Sequence, residues 1–303
     1  MKPFKESNKL LNDSSKLRKQ LRDDGYLFFR GIIPKNEILK LRFQILEICQ
    51  KGGWLKPGTD MMDALTDHEP IMERDEAYAP VYAKVQALED FHRLKFNKDI
   101  ISIMETIFQE PVFPFPQTIG RIAFPNDNER KTHPHQDWIF VGGSTETISC
   151  WAPLGDIPLE VGGLQVLEGS HKSGFLEPRV ALGPGQRTVD IDPSLEWVQS
   201  GYQAGDLLMF KMLTIHGAAP NLTSDVIRLS TEFRYTGESH MIAEDWLLPH
   251  MDLTWEILEK DWSDSSIAHY WERWDNLKIK KHEWFWEQSK YDPVQARAMK
   301  KNE

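Results

Sequence analysis

The run Val226-Ile227-Arg228-Leu229-Ser230-Thr231-Glu232-Phe233-Arg234-Tyr235 has an alternation that decides the architecture. Successive strand side chains point to opposite faces. Ile227, Leu229, Phe233 and Tyr235 therefore make one apolar face, and Arg228, Ser230, Glu232 and Arg234 make the other. If the apolar face packs under helices, Arg228 points into the interior of a barrel or sandwich. An unpaired guanidinium there costs several kcal/mol, so it requires an anionic partner. A small molecule with a carboxylate would satisfy it bidentately, with Ser230 as a neighbouring hydroxyl donor. An internal ion pair with Glu232, or exposure to solvent, are the alternatives.

Other short β-rich runs lie upstream at 117–124, 145–151, 164–167 and 206–211, separated by Gly, Pro and Asp. No helical crossover pattern separates them, which argues for an antiparallel barrel or sandwich over 112–236 rather than a parallel sheet. Before this core, residues 9–24 read as an amphipathic helix stopped by Gly25. Residues 26–29 read as a strand, and Pro34 opens a second helix with an Ile38, Leu39, Leu41, Ile45, Leu46, Ile48 stripe. The 54–75 segment has six acids and no clean period, as expected of a surface loop or lid, and helical pattern follows to about residue 108. After Gly237 the pattern reads as helical and holds seven of the chain's eleven tryptophans; the spacing of Trp271, Trp274 and Leu277 favours packing on the core over an aromatic binding box. No linker divides the chain, so 1–303 is expected to form one domain.

Composition narrows the function classes. The chain has 303 residues, 36 Lys and Arg against 46 Asp and Glu, and a net charge of −10. That balance argues against nucleic acid as the main partner, since phosphate binding needs clustered positive charge. No apolar run is long enough to span a membrane, and no secretory pattern opens the sequence. Two cysteines, Cys49 and Cys150, suit a reducing compartment, so a cytoplasmic location is expected.

The chemistry concentrates at Thr132-His133-Pro134-His135-Gln136-Asp137-Trp138. On an extended strand His135 and Asp137 would point to the same side, presenting an imidazole and a carboxylate to one point. His216, in Leu213-Thr214-Ile215-His216-Gly217, is the third candidate ligand. Two histidines and one carboxylate on one side of a metal leave positions open, which suits non-haem Fe(II) and its reaction with O2. His133 falls on the same expected strand face as His135 and competes with it; a zinc hydrolase built on His133, His135 and His216 with Asp137 as base is the alternative. Trp138 and Phe140 are candidate walls of a substrate pocket. His68, His92, His240, His250, His269 and His282 have no ligand spacing and read as surface or core residues.

The chain resembles the phytanoyl-CoA dioxygenase family of Fe(II)- and 2-oxoglutarate-dependent oxygenases. The resemblance rests on Asp24-Gly25-Tyr26, Phe29-Arg30-Gly31, Pro134-His135-Gln136-Asp137, Trp151-Ala152-Pro153-Leu154, Gly162-Gly163-Leu164, Gly169-Ser170-His171, His216-Gly217, and Arg228 with Ser230. It implies a double-stranded β-helix, or jelly roll, flanked by helices at both ends. It further implies iron on His135, Asp137 and His216, the far carboxylate of 2-oxoglutarate on Arg228, a cosubstrate pocket near Gln136 and Trp151, and a turn-closing role for His171. Retention of Asp137 favours hydroxylation over halogenation, because related halogenases lack the carboxylate. The family also desaturates, epimerises and cyclises. The acidic balance of the 54–75 segment points to a small polar or cationic substrate rather than an acyl-CoA, in a tailoring step of secondary metabolism. A non-catalytic jelly-roll protein binding a metal or an anion is the competing class.

Overall fold

The computed structural model describes residues 1–73 and 75–281, so Arg74, His282, Trp284 and Trp286 lie outside the described residues. In chain order the elements are α1 (Ser14–Asp24), β1 (Tyr26–Phe29), α2 (Lys35–Lys51), α3 (Ala79–Gln86), α4 (Glu89–Arg93) and α5 (Lys98–Phe108). Next come β2 (Val112–Pro114), β3 (Ile119–Ala123), α6 (Trp138–Val141), β4 (Ile148–Pro153), β5 (Leu164–Leu167), β6 (Arg179–Val180) and β7 (Arg187–Thr188). The last are β8 (Trp197–Val198), β9 (Leu207–Lys211), β10 (His216–Ala218), β11 (Arg228–Gly237), β12 (Met241–Ala243), α7 (Trp255–Leu258) and β13 (Lys278–Lys280).

The large antiparallel sheet runs β1-β9-β4-β11-β2, with β3 also on the β2 side of β11. A smaller sheet, β10-β5-β8, faces it. Their inner faces meet through Tyr26, Phe28, Trp151, Leu208 and Phe210 from the large sheet and Leu164, Val166 and Val198 from the small one. The result is a jelly-roll sandwich, mainly β with flanking helices, not a closed barrel. The other face of the large sheet carries Leu27, Phe29, Cys150, Met209, Leu229, Phe233 and Tyr235, which pack with Leu17, Leu41, Ile45, Val81 and Ile103 of the helices. The alternation in 226–235 thus orients β11 as expected, with Arg228, Ser230, Glu232 and Arg234 turned inward.

Two ends of this frame have clear local causes. Asp13 caps α1 by accepting from the Lys16 amide, and Gly25 ends it at φ +85°. A side chain at Gly25 would place Cβ 2.4 Å from His171 Nδ1 and 2.9 Å from Thr214 Oγ1, so glycine is required both for the left-handed turn and for the close approach. His171 Nε2 donates to the Arg22 carbonyl, in keeping with a structural role for Gly169-Ser170-His171.

The expected helical C-terminal part takes a different form. Among the described residues after Gly237, the only α-helix is the single turn α7; the rest is short 3-10 turns and the parallel pair β12–β13. Met251, Asp252, His269 and Asn276 adopt positive φ, which breaks any longer helix. Trp271, Trp274 and Leu277 do pack on a core of Phe113, Phe115, Trp246 and Tyr270. The 54–75 segment is also better anchored than its composition suggests: Trp54 is buried and stacks on Tyr78, the Thr66 amide donates to Asp225 O, and Leu65 bridges Val226.

Candidate metal centre and its cavity

His135 and Asp137 do not lie on one extended strand. His135 makes an isolated antiparallel bridge to His216 at the head of β10, and the chain then turns, so that Asp137 caps the short helix α6. The two side chains nevertheless converge. The Nε2 atoms of His135 and His216 each lie 3.5 Å from Asp137 Oδ1, and the three candidate ligand atoms are all within 4.8 Å of one another. A divalent cation with bonds near 2.1 Å sets adjacent ligands about 3 Å apart, so each Nε2–Oδ1 distance would shorten by roughly half an ångström on binding.

The protonation pattern suits a metal. His135 Nδ1 lies 2.7 Å from the His133 carbonyl and His216 Nδ1 lies 3.0 Å from the Thr214 carbonyl. Only an N–H can bridge to a carbonyl, so both Nε2 lone pairs face the shared centre. Burial, reinforced by His216, pushes His135 below its usual range and keeps it neutral. Burial would push Asp137 up, but Arg234 and the two imidazoles outweigh it and hold the carboxyl well below the usual carboxylate range. The donor set is therefore two imidazole nitrogens and one anion, which fits Fe(II).

The remaining expectations separate. His133 turns away, its Nε2 donating to Glu129 O at 3.0 Å, so it does not join the cluster. Gln136, placed by resemblance near the cosubstrate, faces the opposite way. Its Nε2 donates to the Gly174 and Leu213 carbonyls at 2.8 and 2.9 Å, and its Oε1 accepts from the Leu176 amide at 2.9 Å. Its two neighbours aim at the centre, while these bonds hold the Gln136 amide in the protein body. Trp151 is on the inner face but buried in the inter-sheet core, 4.6 Å from the Tyr202 ring. Phe140 lines the central cleft, its ring edge-on to His135 at 5.5 Å, whereas Trp138 packs with the C-terminal aromatic cluster.

Arg228 is 8% exposed and donates to the Gly162 carbonyl; among the described residues no carboxylate pairs with it. Glu232, the alternative partner, instead lies 3.7 Å from Arg121 and 3.6 Å from Arg234. Arg228 Nε and Ser230 Oγ are buried without partners, and burial pulls the guanidinium down to about 10, with Glu232 opposing. Arg228 lines a small cleft that shares Glu73, Arg121, Thr132 and Pro184 with the cleft around His135, Asp137 and His216.

The main cleft measures about 870 Å³. Its rim includes a residue the sequence did not single out: His250, whose Nδ1 is 2.8 Å from Tyr82 Oη and whose Nε2 is 3.9 Å from Glu73. It lies 34 positions beyond His216 and reaches the cleft only because the C-terminal segment wraps back, so no local spacing reveals it. Two of the six acids of the 54–75 segment are committed within the fold, Glu73 to Arg121 and Asp75 to Arg130.

A jelly-roll sandwich holding two imidazoles and one carboxylate at one point defines the class of the non-haem Fe(II) oxygenases. The family profile described as phytanoyl-CoA dioxygenase (PhyH) matches residues 21–230, and the chain belongs to this family of enzymes, which use Fe(II), 2-oxoglutarate and O2. Among its relatives, the 1-deoxypentalenic acid 11-beta-hydroxylase of Streptomyces arenae is 27% identical over 248 residues, covering 76% of this chain and 84% of the relative. The peroxisomal phytanoyl-CoA dioxygenase of Rattus norvegicus is 25% identical over 221 residues, covering 68% and 63%. The same fold is found in the epimerase SnoN in complex with Fe3+, alpha ketoglutarate and nogalamycin RO, with a TM-score of 0.53 at 20% identity over 76% of this chain and 86% of that one. The carbocyclase SnoK from nogalamycin biosynthesis gives 0.54 at 17% identity, covering 77% and 87%. No described helix is long and apolar enough to cross a membrane.

Proposed function

We propose that His135, Asp137 and His216 hold Fe(II), that Arg228 with Ser230 receives the distal carboxylate of 2-oxoglutarate, and that the enzyme hydroxylates an unactivated C–H bond of a small polar molecule in secondary metabolism. The observation that carries this reading is the pair of Nε2 atoms, each 3.5 Å from Asp137 Oδ1, with both Nδ1 atoms engaged by backbone carbonyls. Bound iron, with O2, supplies the oxidising chemistry that converts 2-oxoglutarate to succinate and CO2 and puts one oxygen into the substrate.

The protein's share is position and dryness. His135 and His216 present lone pairs fixed by their backbone bonds, and Asp137 supplies the negative charge. Arg228 meets an anion that the fold otherwise leaves out, which orients the cosubstrate chain from the small cleft toward the centre. The apolar inter-sheet core closes one side of the site, and Phe140 walls the other beside His135. The substrate would enter the main cleft, whose lining mixes Arg121, Glu232, Asp245, His250 and Asp252 with Ile119, Trp246 and Leu248, a surface suited to a small molecule with polar groups. The hydroxylase relative from Streptomyces arenae supports a tailoring role.

Purified protein supplied with Fe(II), ascorbate and 2-oxoglutarate should release succinate slowly even without substrate. Release no greater than in a metal-free control would overturn the reading in favour of a binding protein.

A further inference from the structure

The carboxylate of Asp137 is held asymmetrically. Arg234 donates to Oδ2 through both Nε (3.2 Å) and Nη2 (2.8 Å), and Ser149 Oγ donates to the same oxygen. Oδ1 takes none of these bonds and is the oxygen facing both imidazoles. A guanidinium meeting a carboxylate for stability alone commonly forks across both oxygens. Here the fork closes on one. Arg234 and Ser149 are direct cross-strand partners on β11 and β4, so the register of the large sheet sets the clamp. Trp246 is its platform: the guanidinium carbon lies 4.5 Å from the indole ring, and Trp246 Nε1 donates to Phe140 O, in the helix that Asp137 caps. Arg234 is 3% exposed, so it is not free to swing toward a cosubstrate.

We propose that Arg234 is a positioning residue that, with Ser149 and with Trp246 as its support, restricts Asp137 to one-oxygen ligation and so keeps two adjacent metal positions vacant for the keto acid. The inference rests on the assignment of Asp137 to the metal. Without the clamp the carboxylate can rotate and chelate through both oxygens, taking one of the positions that 2-oxoglutarate needs. Arg234 then acts on the metal through Asp137.

The test separates metal binding from keto-acid chelation, without turnover. Wild type, Arg234→Met and Arg234→Lys are titrated anaerobically with Co(II), followed by absorbance, and then with Fe(II) and 2-oxoglutarate, followed through the visible charge-transfer band that an Fe(II)–keto acid chelate gives. Arg234→Met should bind Co(II) about 10- to 100-fold more weakly and give a much weaker band even at saturating metal. Arg234→Lys keeps the charge but not the fork, and should fold as wild type while still losing most of the band. A purely structural role predicts that Arg234→Lys restores the full band. Co(II) affinity within threefold of wild type together with a full band in Arg234→Lys overturns the proposal, and does so even if Arg234→Met fails to fold. Failure of wild type to bind Co(II) or give the band would instead sink the iron-ligand assignment, and this inference with it.

Discussion

At the scale of single residues, Arg228 and Gln136 show how the same resemblance can lead to opposite outcomes. Arg228 is buried with donors to spare and no carboxylate partner among the described residues. Arg228→Ala should therefore raise the 2-oxoglutarate concentration needed for half-maximal succinate release about 30- to 100-fold, the loss of a charge-assisted bidentate contact worth roughly 2–3 kcal/mol. An unchanged requirement would show that the anchor lies elsewhere. Gln136 is fully buried and spends its amide on the Gly174 and Leu213 carbonyls and the Leu176 amide. Gln136→Met orphans those three backbone groups. It should lower stability by about 3 kcal/mol, or roughly 6 °C in Tm for a chain of this size, and leave the 2-oxoglutarate requirement of the folded fraction unchanged. A raised requirement at unchanged Tm would return Gln136 to the cosubstrate pocket. From sequence alone Gln136 was ambiguous, because the neighbours of a ligand share its motif but not its direction.

At the scale of elements, the sequence was most legible where one periodicity ran uninterrupted. The alternation in 226–235 gave both faces of β11, and the apolar stripe in 38–48 gave the buried side of α2. It was least legible where structure depends on distant partners. The strand expected at 132–137 is reduced to a single bridge, because His135 pairs only with His216 and the chain must turn to seat Asp137 over α6. Likewise β1 finds its partner in β9, a pairing no local pattern specifies. The α4 helix illustrates a further kind of burial. His92 lies 2% exposed among Phe91, Trp255 and Trp262, its Nε2 donating to Gln86 O. Burial pushes this imidazole well below its usual range. The unfolded chain then takes up a proton near pH 6.5 that the folded chain refuses, so the His92 contribution is fully present above pH 6.5 and is lost on acidification. His92→Phe should lose the bond to Gln86 O at pH 8 yet flatten the decline of stability between pH 6.5 and 5 by up to about 1.4 kcal/mol per pH unit. Equal slopes for the two proteins in denaturant titrations would show that His92 accepts its proton in the native state.

At the scale of the whole molecule, whether the C-terminal segment is a separate unit or part of the jelly-roll domain turns on what it touches. Its described contacts reach both the large sheet and the helices. Tyr270 Oη donates to Pro114 O at the sheet edge, Trp262 Nε1 donates to Ala87 O beside α3 at 2.9 Å, and Arg93 on α4 pairs with Asp264. Trp246 carries Arg234, which holds Asp137. Loss of this segment would expose Phe113 and Phe115, which it covers. We therefore propose that the described residues form one cooperative domain, and the prediction follows from where the chromophores lie. Five described tryptophans, Trp246, Trp255, Trp262, Trp271 and Trp274, belong to the C-terminal segment, whereas far-UV circular dichroism reports mainly on the sheets and helices before it. Thermal unfolding followed by tryptophan fluorescence and by far-UV circular dichroism should give coincident midpoints, the signature of a single transition. Anaerobic Fe(II) with 2-oxoglutarate at about 100 times its dissociation constant should then raise both midpoints together, by the equivalent of roughly 2.7 kcal/mol. An early fluorescence transition that ignores the ligands would mean that the tryptophan-rich segment melts alone, and that the support it gives Asp137 through Arg234 is dispensable for holding the metal.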